Sequence, residues 1–210
     1  MPRWLWLLLL GLLAGLWWVG QRGSAPIAAT GSPVRCLQPP ALSDIDQPRQ
    51  SEVAGAMAPF RMGAATVSPL AGLSLQARVL SREDYSLGTE ADYSPTDLAL
   101  GWGPMAAPGI EQKLHISQGG RWYRYRWDDA GPPVAAEQIV RHSANMHMVP
   151  ADRGVARALA GINAGDTVRI DGWLIRIDGD NGWHWQSSLS REDSGTGACE
   201  LVLVCSIETR

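Results

Sequence analysis

Hydrophobic and polar positions divide the chain into three regimes. From Trp4 to Gly20 there is no charged or polar side chain, with Trp4 and Trp6 at one end and Trp17 and Trp18 at the other. As a helix rising about 1.5 Å per residue this run covers roughly 25 Å, the short limit for crossing a bilayer core, and tryptophan at both ends suits the two interfaces. From 21 to 65 neither a helical nor a strand period holds, and Pro26, Pro33, Pro39, Pro40, Pro48 and Pro59 recur among Gly, Ala and Ser. A chain of that composition extends and does not pack. Beyond Thr66 the alternation of Leu73, Leu75, Ala77 and Val79 with Ser74, Gln76 and Arg78 marks a half-buried strand. The pattern therefore predicts a transmembrane signal-anchor at 1–21, a disordered proline-rich tether at 22–65 and one folded domain at 66–210.

Within the domain, YSPTDLALGW predicts a short helix: Ser94 as N-cap, Pro95 at the first helical position, Asp97 three residues after the cap and Gly101 at the end. LHISQ and RWYRYRW read as two strands around a Gly119-Gly120 hairpin, with Tyr123, Tyr125 and Trp127 on one face and Trp122, Arg124 and Arg126 on the other. Residues 135–144 favour a short helix. Asp152 to Leu159 favours another, capped by Asp152 and closed by Gly161.

A β-hairpin follows, turning at Asn181-Gly182. Its apolar residues change parity, from Val168 and Ile170 to Trp173, Ile175 and Ile177, and a bulge at Asp171-Gly172 would reconcile the two registers. Residues 198–207 are apolar on both faces apart from Glu200 and Ser206, as in a central strand. Bent strands close small barrels, so the expected fold class is α+β: after the transmembrane helix, a strongly bent antiparallel sheet or small β-barrel with two or three short helices.

The alternative for the leader is a cleaved signal peptide, but Gly23-Ser24-Ala25 would leave Pro26 directly after the cut and Ile27-Ala28-Ala29 sets a branched residue where a small one is needed. The run reads as an uncleaved anchor. Arg3 and the terminal amine face Arg22 across it, and the two-residue head before Arg3 is that of an anchor sending its C-terminus outward. The expected location is the inner (cell) membrane, crossed once through residues 4–20, with the C-terminal domain in the periplasm of a Gram-negative cell.

Lys and Arg total 18 against 21 Asp and Glu, a net charge of −3. Without Arg3 the remainder is more acidic still, which argues against a nucleic-acid partner. The cysteines are Cys36, Cys199 and Cys205. Six residues of strand separate the last two by about 20 Å, beyond the roughly 7 Å reach of a disulfide, whereas Cys36 on its tether could meet either. SPVRC lacks the small residue a lipidation site needs before Cys36.

Candidate chemistry centres on RHSANMHM, where His142, Asn145, Met146, His147 and Met148 fall within eight residues. Thioethers and imidazoles outside the cytoplasm suit copper. Five residues apart, however, the two histidines face different ways on a helix or a strand unless the chain changes direction near Asn145. The favoured reading is a helix-to-strand junction with Asn145 as cap and the methionines packed. A hydrolytic site would use His142 or His147 as base, Ser143, Ser187 or Ser190 as nucleophile and Asp97 or Asp193 as orienter.

No GxSxG, HExxH or phosphate-loop motif supports that site. DGDNG at 178–182 lacks the glutamate of a calcium loop, since residue 189 is Leu. In WHW, His184 faces away from Trp183 and Trp185. LSRED occurs at 80–84 and again at 189–193, where Arg82, Glu83, Arg191 and Glu192 would form a polar rim if the two loops met. The candidate functional cluster is His142, Asn145, His147 and Asp97, with no metal and no cofactor expected.

SPTDLALGWGPM, the ISQ before GRWYRYRW, RHSANMHMVPA and SSLSREDSGTGACE, together with PRQ at 48–50, resemble a group of uncharacterised bacterial membrane-anchored proteins over roughly residues 66–205. The resemblance implies a single extracytoplasmic domain and membrane attachment. It contributes no catalytic residue. The function expected is a membrane-anchored extracytoplasmic binding or scaffolding module with a protein partner. The alternative is a small extracytoplasmic hydrolase or metal-handling protein centred on RHSANMH.

Overall fold

The computed structural model describes Trp6, Leu10 and Gly11, residues 36–37, 47–53, 57–190 and 199–210. Nearly all of the expected span at 4–20, much of the expected tether, and Arg191, Glu192 and Asp193 lie outside the described residues. Among the described residues no helix is long and apolar enough to cross a membrane.

The elements run β1 (Arg49–Ser51), β2 (Phe60–Met62), β3 (Ala65–Asp84), α1 (Thr89–Tyr93), β4 (Thr96–Gly101), a 3-10 turn (Gly103–Ala106), α2 (Ile110–Lys113), β5 (Ser117–Gly119), β6 (Trp122–Arg124), α3 (Ala136–Arg141), β7 (Ser143–Pro150), α4 (Arg153–Ala160), β8 (Thr167–Gly179), β9 (His184–Gln186) and β10 (Glu200–Thr209). The molecule is thus α+β, dominated by a strongly curved sheet. Its curvature originates in the 20-residue β3. The first part of β3 pairs with β8 from Ala65↔Gly179 to Arg78↔Thr167, and the last part pairs with β4 from Arg78↔Gly101 to Asp84↔Thr96. Register shifts between Pro69 and Ala71 and between Val79 and Ser81 supply the bends.

The pairings continue β4–β7–β10–β8, so five strands form a closed ring of hydrogen-bonded neighbours. Four of those pairings are antiparallel, but β7 and β10 run parallel, which corrects the expectation of a wholly antiparallel sheet. Two parallel strands need a crossover. It is made by α4, β8 and β9. Asp152 Oδ1 caps α4 by accepting from Gly154 N at 2.7 Å and Val155 N at 2.9 Å, and Val155 and Leu159 turn into the core.

The local signature at Ser94-Pro95 is overruled. Residues 96–101 form β4, and every residue of it is buried. Helix α1 ends at Ser94, where the following proline disfavours the helical conformation. From there Leu98 and Leu100 enter the core inside the ring while Asp97 and Ala99 take the opposite face. A buried six-residue strand offers β3 and β7 two full ladders, and an isolated capping box of about 1 kcal/mol does not compete with that.

The expected bulge at Asp171-Gly172 is also absent. Strand β8 pairs with β3 through Ser74↔Asp171 and Leu73↔Gly172 without a break. The parity change arises because β8 is buried on both faces. Val168, Ile170 and Leu174 line the inner core, whereas Trp173, Ile175 and Ile177 belong to a second core outside the ring with Met57, Met62, Leu201 and Leu203. Glycine is required at 172 because a Cβ there would run into the Leu203 carbonyl oxygen. The irregularity sits instead on β10, between Val204 and Ser206.

Two short strands lie in the stretch expected as tether. β1 pairs with β3 through Gln50↔Leu73, and β2 through Arg61↔Thr66. Further toward the N-terminus, Cys36 is bonded to Cys205 with Cα atoms 5.4 Å apart, and Trp173 Nε1 donates to Leu37 O at 2.6 Å. Of the two partners open to Cys36, the fold selects the one on the outward-bulging part of β10.

This cross-link closes a loop of 169 residues. Cys36→Ser should therefore destabilise the full chain by about 2–4 kcal/mol, read as a lower denaturation midpoint than wild type under non-reducing conditions. Equal midpoints would show that the bond does not constrain the folded unit.

Candidate functional site

The outer face of β4 and β7 carries charge where the inner face carries leucine and methionine. Antiparallel register sets Asp97 opposite His147 and Ala99 opposite Asn145, while Leu98 and Leu100 turn with Met146 and Met148 to the inner core. Asp97 is 0% exposed and His147 is 3% exposed. A carboxylate in such a place must be ringed by donors. Arg121 Nη1 donates to Asp97 Oδ1 at 2.7 Å, and Asn145 Nδ2 donates to Oδ2 at 3.1 Å. His147 Nδ1 lies 2.9 Å from Oδ2, but the approach is too oblique for a hydrogen bond, and that nitrogen has no hydrogen-bond partner among the described residues.

The Arg121 guanidinium also donates to Ser94 O at 2.9 Å, approaches Glu90 at 3.4 Å and stacks over Tyr85 at 3.8 Å from the ring centroid. Trp185 covers the group, 4.8 Å from the His147 ring and 5.4 Å from the guanidinium. Gln118 Nε2 donates to Asn145 Oδ1 at 2.7 Å and so orients its amide.

Arg121 reaches Asp97 from a hairpin. Strands β5 and β6 pair through Gly119↔Trp122, leaving Gly120 and Arg121 as a two-residue turn with φ of 57° and 68°. Positive φ at both positions is the type I′ geometry, whose second position favours glycine. Arg121 is the non-glycine residue with positive φ among those described. An arginine held there costs about 1–2 kcal/mol of backbone strain. The buried contacts to Asp97 and Ser94 offset it, and its own N–H donates to Tyr85 Oη at 3.1 Å.

Underneath, Tyr123 and Tyr125 pack on a third core that includes Ile110, Leu114 and Ile139, and burial pushes the Tyr123 hydroxyl up to about 12. The base of this segment is fixed by Arg78, whose guanidinium grips Glu111 through bonds of 2.7 and 2.8 Å. Those bonds hold the Glu111 carboxyl below its usual value.

Three of the four expected cluster residues meet: Asp97, Asn145 and His147. His142 does not join them. It ends α3 with Nδ1 3.0 Å from Gln138 O, and the strand begins one residue later, so Asn145 lies within β7 and is not a cap. Met146 and Met148 point into the inner core and His147 points outward, so the thioether and imidazole ligands of a copper site stand on opposite faces. Among the described residues no three His, Cys, Asp or Glu side chains gather to hold a metal.

The hydrolytic triples fare little better. Ser143 Oγ donates to Ile139 O at 2.6 Å, and Ser187 Oγ donates to Ser188 O and accepts from Leu201 N, so both hydroxyls serve the backbone. Asp193 lies outside the described residues. The polar rim expected from the two LSRED loops rests partly on Arg191 and Glu192, which lie there too.

Sequence reasoning missed Arg121, Gln118, Tyr85 and Trp185. The one available signal was an arginine directly after Gly119-Gly120, an unusual occupant for the second position of a tight turn. What the assembled group does is enclose an imidazole beside a carboxylate and pin a hairpin to the sheet.

If the ion pair is what holds the hairpin, Arg121→Gly should destabilise the protein by about 2–4 kcal/mol even though glycine suits the turn better, and Asp97→Asn by a similar amount. The double variant should lose less than the sum, because the two groups share one interaction. His142→Ala should stay within about 1 kcal/mol. Denaturant unfolding of the four chains measures all of this, and a stabilised Arg121→Gly protein would contradict the assignment.

No protein-family model, curated protein or solved structure matches the chain, so its reading rests on the residues and the geometry above.

Proposed function

We propose that the chain is a membrane-anchored binding or scaffolding module, held at the outer face of the inner membrane through residues 4–20, whose five-stranded ring is a small barrel. Ring order β3–β4–β7–β10–β8, a parallel β7–β10 pair and a helix between β7 and β8 together make an OB-type connectivity. That arrangement supports many functions, so it supplies the scaffold and not the role.

The observation that carries the reading is the closure of the Asp97 cluster. A hydrolytic centre needs a nucleophile within hydrogen-bond reach of its base and room for a reacting atom. Here His147 is almost fully covered, under Trp185, and the Ser143 and Ser187 hydroxyls are bonded elsewhere. A preorganised polar cluster that fixes an inserted hairpin suits recognition better than turnover. The resemblance to membrane-anchored bacterial proteins and the tryptophan-flanked apolar run at the N-terminus both support the placement.

The Asp97–His147 contact keeps one second reading, that of a hydrolase in which the carboxylate orients the imidazole. The two readings part experimentally. A phosphatase fused after Arg210 should be active, and the chain should stay in membranes through alkaline carbonate washing. A photoreactive residue at Leu87, 89% exposed on the loop between β3 and α1, should give a light-dependent adduct with another protein in native membranes. Absence of any adduct, together with ester or phosphoester turnover that His147→Gln abolishes, would transfer the assignment to the hydrolase.

A further inference from the structure

We propose that the β5–β6 hairpin and the residues just after it are a membrane-facing surface, in which Trp122, Arg124, Arg126 and Trp127 rest on the anionic headgroups of the bilayer that holds the chain. The proposal rests on the anchored reading of residues 4–20.

Its first support is the way charge is distributed. In this acidic protein the arginines are mostly matched within the chain: Arg61, Arg78, Arg82, Arg141, Arg169 and Arg176 each meet a carboxylate. Among the described residues neither Arg124, whose guanidinium lies 6.0 Å from the Trp122 ring centroid, nor Arg126 meets a carboxylate. These two cations sit between tryptophans that are 38% and 37% exposed, although the second stacks on Tyr125. Indole rings beside guanidinium groups are the composition a bilayer interface accepts. The rings settle at headgroup depth and the cations pair with phosphates.

The neighbouring Asp128, 2.8 Å from the His115 ring, and Asp129 are the carboxylates that oppose the patch.

The second support is rigidity. Arg121 fastens the turn to Asp97 at 2.7 Å, and Tyr123 and Tyr125 fill the underside, so the backbone that carries the outer side chains is already held and docking need not order it.

The third is reach. Cys199 Sγ lies 3.9 Å from Arg121 O, and β10 runs about 20 Å from there to Cys205, where Cys36 is stapled. The 15 residues from 21 to 35 can extend at most about 50 Å from the end of the apolar run. A surface kept that close to its lipid works at high effective concentration, so a patch in which each arginine multiplies affinity only about fivefold is enough.

The test is amide exchange over residues 117–127 of the full chain, reconstituted in nanodiscs of phosphatidylcholine alone or with phosphatidylglycerol. Exchange should slow severalfold in the anionic discs, return to the neutral-disc rate in R124Q/R126Q or in high salt, and slow further in D129N. Equal exchange in both discs would overturn the proposal. So would protection produced in neutral discs by a soluble anionic glycan, which would make the hairpin a glycan surface. Carbonate washing of native membranes carrying the same chain keeps the two failures distinct: a chain that stays in the pellet with an unprotected hairpin fails only the docking, whereas a chain that washes out fails the anchor and the docking together.

Discussion

A carboxylate with no exposure to water survives only if the chain builds a complete set of partners around it, and Asp97 imposes that demand on five separate segments. β4 carries it, β7 brings Asn145 and His147, the β5–β6 hairpin brings Arg121, the segment between β3 and β4 supplies Tyr85, Glu90 of α1 and the Ser94 carbonyl, and β9 covers the group with Trp185. Each contact is local, yet together they decide where the segment 102–142 between β4 and β7 lies. Replacing one partner leaves a buried charge uncompensated, whereas apolar residues of the same volume would cost far less. The cluster is therefore best understood as a device for position. Its clearest sign is Arg121, held in a conformation that a glycine would adopt more readily.

The same economy of burial explains the rest of the architecture. The inner core fills the ring of five strands, but the strands also bury their outer faces. Residues 57–62 and the Cys36 leg cover β8 and β10, and the segment from 103 to 139 covers β3 and β4. Of α1 to α4, α4 is the longest, and it alone contributes to the inner core. The other helices are single turns that direct the covering segments. At Gly172 the backbones of β8 and β10 approach too closely for any side chain. The Cys36–Cys205 bond fastens the outer layer on the same side. A sheet wrapped on both faces leaves little surface for recognition except the edges of its wrapping, and the hairpin is such an edge.

Function follows from what this wrapping leaves presented. His147 has the neighbour a general base would need but is enclosed, and the Ser143 and Ser187 hydroxyls serve the backbone. By contrast, the hairpin and the residues just after it keep two tryptophans at the surface beside Arg124 and Arg126, which meet no carboxylate among the described residues. On the proposed reading, the buried charges fix the geometry of a surface whose exposed charges meet a partner.

The residue types alone determined three members of the central cluster. Asn145 and His147 stood out in the His- and Met-rich run RHSANMHM, and Asp97 as a candidate orienter of a histidine, although its local pattern was that of a helix cap. Local pattern likewise determined the α+β class, the Asn181-Gly182 turn and the Asp152 cap, because turn and cap chemistry acts over a few residues. Tertiary structure decided everything that depended on long-range pairing. The capping pattern at Ser94 yielded to a strand because two ladders outweigh one cap. The parity change in β8 came from a second core that no local pattern reports. Cys205 was chosen over Cys199 by the course of β10. Arg121 became the keystone only because the hairpin lands on β4, 24 residues away in sequence, and interactions across such separations leave no periodic trace in the chain.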